Sequence, residues 1–272
     1  MNAAKNISRS SPGFAAGASS AAGQQEEKFR GVYDRAFFAR HTQDTVRSAQ
    51  IIVPILLELI RPESVIDIGC GLGAWLKVFA QHGAKRLSGL DGDYIDLSTF
   101  LVDPACFSTV DLSQPLEISE SYDLAICLEV AEHLSESRAA DLVKLLTSVS
   151  SHVLFSAAIP GQRGPGHVNE QWPSYWKRLF HQRGFQRLDP IRRHIWRNRN
   201  VQWWYRQNIF LYISEKVVGQ SAMLQAEQRL AELDVIYIEF LNRYRTLRGV
   251  LGELPRVFAD AIRRRISSKA LY

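Results

Sequence analysis

The chain has 272 residues, 46% of them apolar, and a formal net charge of +5. That suffices for one sizeable core with an appendage, and the composition excludes a disordered or fibrous protein. No apolar run approaches the roughly 18–20 residues of a membrane span; the longest, Ile51 to Leu57, contains Pro54 and is followed by Glu58.

In chain order, residues 1–30 read as a flexible tail, rich in Ser, Ala and Gly between Ser8 and Gln25. They carry no basic-then-apolar secretory pattern. A helix is predicted from Phe37 to Leu59, closed by Arg61 and Pro62. Val65, Ile66 and Ile68 then form a short buried strand, followed by Gly69, Gly71 and Gly73 and an apolar helix from about Trp75. A second strand, Arg86 to Leu90, ends on Asp91. Cys106 to Val110 is a short third strand. Tyr122 to Leu128 is a near-continuous apolar run, as expected for a strand covered on both faces. A helix over Ser137 to Leu146 leads to a strand over His152 to Ala158. Gln186 to Leu188 and Asn208 to Ile213 suit a final antiparallel pair. The alternation implies a doubly wound, Rossmann-like α/β domain over residues 31–215, with a mostly parallel sheet and helices on both faces.

Residues 220–272 differ. Leu230, Leu233, Tyr237, Phe240, Tyr244, Leu247, Leu251 and Leu254 alternate by threes and fours, a heptad seam. A helical, coiled-coil-like extension from about Met223 to Leu254 is expected, joining a homo-oligomer or a partner protein, or else packing on its own domain. After Pro255, Val257, Phe258, Ile262 and Ile266 line one face and arginines the other. This is a solvated basic helix or, alternatively, a peripheral contact with an anionic inner-membrane surface. Cys70, Cys106 and Cys127 are widely spaced, which fits a reduced, cytoplasmic protein.

Chemistry concentrates after the first strand. Glycines serve where the backbone turns sharply beside a ligand. Residues 69–74 also satisfy the dinucleotide pattern G-x-G-x-x-A. Asp67 decides between cofactors: a carboxylate at the strand end repels a pyrophosphate and attracts a cation such as an ammonium. Asp91, twenty residues after Gly71, suits ribose hydroxyls. D-x-G-C-G-x-G from Asp67 to Gly73, followed by an acid at the second strand, resembles the class I S-adenosylmethionine (SAM)-dependent methyltransferases. The resemblance spans roughly Tyr33 to Ile213. It implies SAM as cofactor, held by Asp67, Gly69, Cys70, Gly71, Gly73, Asp91 and Gly92. It also implies an adenine contact from Asp111 and Leu112, and a cleft lined by Glu129 and Val130.

Glu129, Glu132 and His133 share spacing i, i+3, i+4, and His167 follows the fifth strand. Two carboxylates and two imidazoles suit a divalent ion. The set resembles the metal site of plant-type small-RNA 2′-O-methyltransferases and the Glu–Glu–His site of ubiquinone-biosynthetic O-methyltransferases. That implies magnesium or manganese on Glu129, Glu132, His133 and His167. E-x-x-E-H also occurs in methyltransferases without metal, where these residues are structural. The segment from Pro160 to Trp172 has five Gly or Pro residues and reads as a mobile loop over the cleft. His167 is the expected general base, and Asn169, Glu170 and Trp172 the expected acceptor contacts; the alternative is that this loop bonds to itself. Trp196, Trp203, Trp204, Tyr205, Arg206, Gln207 and Asn208 form a polar-aromatic block, read as a substrate-pocket wall over a nucleic-acid platform.

The resulting expectation is a SAM-dependent methyltransferase acting on an oxygen of a small-molecule or glycan acceptor. The residues around His167 and Trp203 look similar to bacterial methyltransferases of polysaccharide and glycoconjugate synthesis. The alternatives are a metal-assisted RNA 2′-O-methyltransferase, which needs a basic channel not evident here, and a non-catalytic SAM-fold interaction protein.

Overall fold

The computed structural model of the protein describes residues 35–230. The N-terminal tail, the heptad seam beyond Leu230 and the basic segment after Pro255 lie outside the described residues.

One seven-stranded sheet organises the domain: β1 (Ser64–Ile68), β2 (Arg86–Asp91), β3 (Phe107–Thr109), β4 (Leu124–Leu128), β5 (His152–Ser156), β6 (Phe185–Leu188) and β7 (Phe210–Ser214). Their order is β3-β2-β1-β4-β5-β7-β6. The pairings among β1 to β5 are parallel, and β7 runs antiparallel to β5 and β6. Strand order reverses between β1 and β4, so a crevice opens at their carboxyl ends.

Alternate strand residues feed two cores. On one face, Val65, Leu124, Ile126 and Leu128 pack with Ile52 and Leu56 of α1 (Arg35–Leu57) and with Trp75, Leu76 and Phe79 of α2 (Ala74–Gln81). On the other, Ile66, Ile68, Ala125 and Cys127 meet Leu142 and Leu146 of α3 (Ala139–Val149) and Trp176 and Phe180 of α4 (Pro173–His181). This two-sided burial is why β4 reads as an unbroken apolar run. Four short helices complete the order: α5 (Arg192–Ile195), α6 (Trp203–Asn208), α7 (Glu215–Val218) and α8 (Ala222–Arg229). Among the described residues, no helix is long and apolar enough to cross a membrane.

Three expectations change. Asn208 ends α6, and β7 begins only at Phe210. The helix containing Met223 stops at Arg229, with Leu230 extended (φ −76°, ψ 139°), so it does not run unbroken into the seam. Its boundary with the domain also differs: Leu224 is buried in the first core, which makes α8 part of the domain.

Candidate active site

The crevice is a cavity of about 420 Å³. Its floor is the β1–α2 turn. Gly69, Gly71 and Gly73 all have positive φ, at 84°, 51° and 76°. Space as well as torsion demands the first of these: a Cβ on Gly69 would stand 2.3 Å from Val130 Cγ2. The turn thereby lets its backbone face the cavity directly.

Two buried carboxylates flank the turn. Asp67 is 2% exposed, and its Oδ2 has no hydrogen-bond partner among the described residues. Burial, then the neighbouring Asp91 charge, pushes its pKa well above the ordinary carboxylate range. An unpaired buried acid of this kind is a costly vacancy that a cationic ligand fills. Asp91 is pinned differently. Its Oδ2 accepts from Gly71 N at 2.7 Å, and its Oδ1 accepts from Gly92 N at 2.7 Å and from the Tyr94 hydroxyl. Burial raises its pKa, and those three hydrogen bonds oppose the rise. Tyr94, which the sequence reading passed over, therefore belongs to this end of the cavity. The Cys70 thiol lines the turn and is pushed up by burial and then by Asp91. Asp111 and Leu112 line the cavity beyond Gly92. Asp111 Oδ1 accepts from Ser113 N at 2.8 Å, so the carboxylate also shapes its own turn.

The other end is built where β4 stops. Glu129 adopts φ 57°, a left-handed conformation that costs a non-glycine residue free energy and is concentrated at functional sites. Gln162 Nε2 (2.9 Å) and Asn208 Nδ2 (3.3 Å) donate to its two oxygens. Three residues on, Glu132 is fully buried, and neither carboxylate oxygen completes a hydrogen bond of normal geometry. Burial, followed by the Glu129 charge, raises its pKa strongly. His133 and His167 meet edge to face with ring centroids 4.9 Å apart. Burial and then His167 lower the His133 pKa to about 4, so this imidazole is neutral at pH 7.

One ligand atom from each of Glu132, His133 and His167 lies within 4.8 Å of the others. Donors around one six-coordinate ion with bonds of roughly 2.1 Å are separated by about 3–4.2 Å, a little less than the 4.8 Å spread of this trio, so the three side chains would have to draw together to hold a divalent cation. Glu129 is not in the cluster; its oxygens are already committed to two amides. The four-residue metal set expected from sequence is thus brought together as three.

The loop before α4 corrects a second expectation. Of its predicted functional residues only His167 lines the cavity, together with Gln162, Arg163 and Pro165. Asn169 is 3% exposed and accepts from Gln171 Nε2. Trp172 is 46% exposed and caps α4, where Pro173 begins the helix. Glu170 turns inward, accepting from Gly161 N, Arg163 N and His167 Nδ1. Burial favours its neutral form, but these donors outweigh it and hold its pKa below the ordinary value. The cause is general: backbone N–H groups turned into a loop interior need acceptors, and one carboxylate supplies them.

Trp203, Trp204 and Tyr205 close the remaining wall with His41, Thr42 and Thr45 from α1. The Trp-Trp-Tyr block signalled the first three. Nothing in the α1 sequence marked its polar residues as lining, since they are ordinary polar positions on an amphipathic helix.

The family model described as a methyltransferase domain matches residues 38–206 of the chain. The chain belongs to this family. It is a SAM-dependent methyltransferase. Magnesium protoporphyrin IX methyltransferase from Synechocystis PCC 6803 has the same fold in two structures. The one with bound SAH has a TM-score of 0.51 and 17% identity, covering 70% of this chain and 99% of the other. The one with bound SAM has a TM-score of 0.50 and 18% identity, covering 70% and 97%. A putative O-methyltransferase from Nostoc punctiforme is also similar, at TM-score 0.49 and 16% identity over 65% of this chain and 59% of that one. No curated protein sequence matches the methyltransferase significantly.

Proposed function

We propose that the enzyme methylates a hydroxyl oxygen of a small or carbohydrate-like acceptor, with His167 as the group that manages the acceptor proton. The observation that carries this reading is the polarity of one continuous cavity. Asp67 and Asp91 stand at the glycine turn, and Glu132, His133 and His167 at the far end, with Trp203 and Trp204 alongside.

SAM supplies an electrophilic methyl group and leaves as a neutral thioether. The chain's own residues provide binding and positioning. Asp67 offers its unpaired oxygen to the cofactor's ammonium, and Asp91 stands over the turn for the ribose. Asp111 and Leu112 serve the adenine. At the other end, a hydroxyl has a high pKa, so its proton must be accepted as the methyl arrives. His167 Nε2 is the atom placed for that. If Glu132, His133 and His167 hold a magnesium or manganese ion, that ion would lower the hydroxyl pKa in place of a simple base. Indole faces of Trp203 and Trp204 suit the apolar face of a sugar ring. Five acidic side chains and a single arginine line the cavity, a poor lining for a phosphate backbone, which argues against RNA as acceptor.

The test is transfer of labelled methyl from SAM to a panel of nucleotide-sugars, lipid-linked glycans, small phenols and RNA. With an acceptor in hand, His167→Ala should lower turnover by about 10²–10⁴-fold and leave SAM affinity nearly unchanged. A chelator separates the two versions. If it abolishes activity, if magnesium or manganese restores it, and if Glu132→Ala and His133→Ala mimic the loss, the trio is a metal site. Full activity of His167→Ala, with and without chelator, would remove both versions.

A further inference from the structure

The imidazole of His167 sits in a seat made by two residues that do not line the cavity as acceptor contacts. Below Nδ1 lies Glu170, whose Oε1 is 2.8 Å away and also accepts from Arg163 N. The other oxygen of Glu170 accepts from Gly161 N at 2.8 Å. Gly161 and Arg163 both have positive φ, 85° and 61°, so the loop turns twice in the left-handed region and points these amides at one carboxylate. Against the other edge of the ring lies Gly164, where a Cβ would come within 2.3 Å of His167 Nε2. The loop's far end is anchored as well. Val168 N and Asn169 N both donate to the Glu132 carbonyl, at 2.8 and 3.0 Å, so the ring is referenced to the turn that carries Glu132 and His133.

We propose that Glu170 is a positioning residue: it keeps the His167 proton on Nδ1, and with the space left by Gly164 it presents an unprotonated Nε2 to Glu132 and the cavity. Nε2 lies 4.0 Å from Glu132 Oε1. The proposal rests on the reading above that His167 serves the acceptor. A carboxylate accepts only, so the nitrogen facing it must carry a proton, and in the neutral ring the opposite nitrogen is then left with its lone pair. Oriented imidazoles in metal and base sites depend on such a partner.

Glutamine at position 170 cannot reproduce this. In one amide orientation its NH₂ opposes the Gly161 N–H. In the other it opposes the Arg163 N–H and donates to Nδ1, which drives the proton to Nε2.

The experiment is nitrogen NMR of the full chain labelled with ¹⁵N-histidine and saturated with S-adenosylhomocysteine, with His167→Asn assigning the resonances. Wild type is expected to show a protonated Nδ1 and an unprotonated Nε2 at His167. Glu170→Gln should lose the Nδ1–H signal in whole or in part. Gly164→Ala leaves the Glu170 clamp in place; it should keep that signal while shifting the Nε2 resonance as the ring is displaced. An Nε2–H tautomer in wild type overturns the proposal, and so does a His167 tautomer unchanged in Glu170→Ala, which removes the acceptor in every orientation. The functional reading fails separately: full methyl transfer by His167→Asn would remove it and leave the tautomer result standing.

Discussion

Asp67 is the residue at which the cofactor end of the cavity is most exposed to test. Its buried, unpaired oxygen and the nearby Asp91 favour the protonated form in the free enzyme. A bound ammonium favours the anion. Cofactor binding therefore expels a proton at pH values between the lowered bound-state pKa of Asp67 and its raised free-state pKa. Apparent SAM affinity should rise with pH and level off once Asp67 is ionised before binding. Calorimetry in buffers of different ionisation enthalpy reads the proton directly. Asp67→Asn should weaken SAM by about 1–3 kcal/mol and flatten the pH dependence. Proton release that is the same in wild type and variant would contradict this assignment.

At the scale of elements, the β1–α2 turn and the segment after β4 are built against each other. Gly69→Ala adds a left-handed alanine, at about 1 kcal/mol, and an overpacked contact with Val130, at about 1–3 kcal/mol. The sum should appear in denaturant unfolding. Adding Val130→Ala should recover the packing part and leave the backbone part. Failure of the second change to recover any stability would mean that the clash is absorbed elsewhere.

This same junction shows what was legible in sequence. The strand–glycine–helix unit was readable because its rules are local: an apolar strand, glycines where φ is positive and an acid at the strand end. The strands of the core were readable for a similar reason, since both faces are buried and the residues say so. The loop around His167 was only half readable. Its Gly and Pro content announced a special backbone, but whether Glu170 faced a ligand or the loop depended on Gly161 and Arg163 having amides to satisfy. Such a need follows from the folded path, not from residue type. Glu129 was equally hard to read: the amides of Gln162 and Asn208 that hold its oxygens come from segments 33 and 79 residues away. Spacing within one turn cannot reveal them.

For the whole molecule, the useful boundary is Leu230 and not Gly219. Leu224 packs in the first core, and Arg193 faces Glu227 at 3.7 Å. A chain ending at Gly219 should lose about 1.5–3 kcal/mol from Leu224 alone, seen as a lower melting temperature. Light scattering of a chain ending at Leu230 tests the seam: if Leu233 to Leu254 mediate association, the particle falls to fewer protomers, and an unchanged number means that the seam does not mediate it.

The placement of charge at the glycine turn has a consequence for regulation. In the proposed binding mode Asp67, Asp91 and Asp111 read an ammonium, a ribose and an adenine, groups that are the same before and after the methyl has left. The turn thus has little means of telling spent cofactor from fresh. S-adenosylhomocysteine should bind within about tenfold of SAM and inhibit competitively, a difference under 1.4 kcal/mol. The rate in a cell would then follow the ratio of the two, making this enzyme a gauge of methyl supply as much as a consumer of it. A dissociation constant for the product a hundredfold weaker than for SAM would show that the sulfonium itself is read.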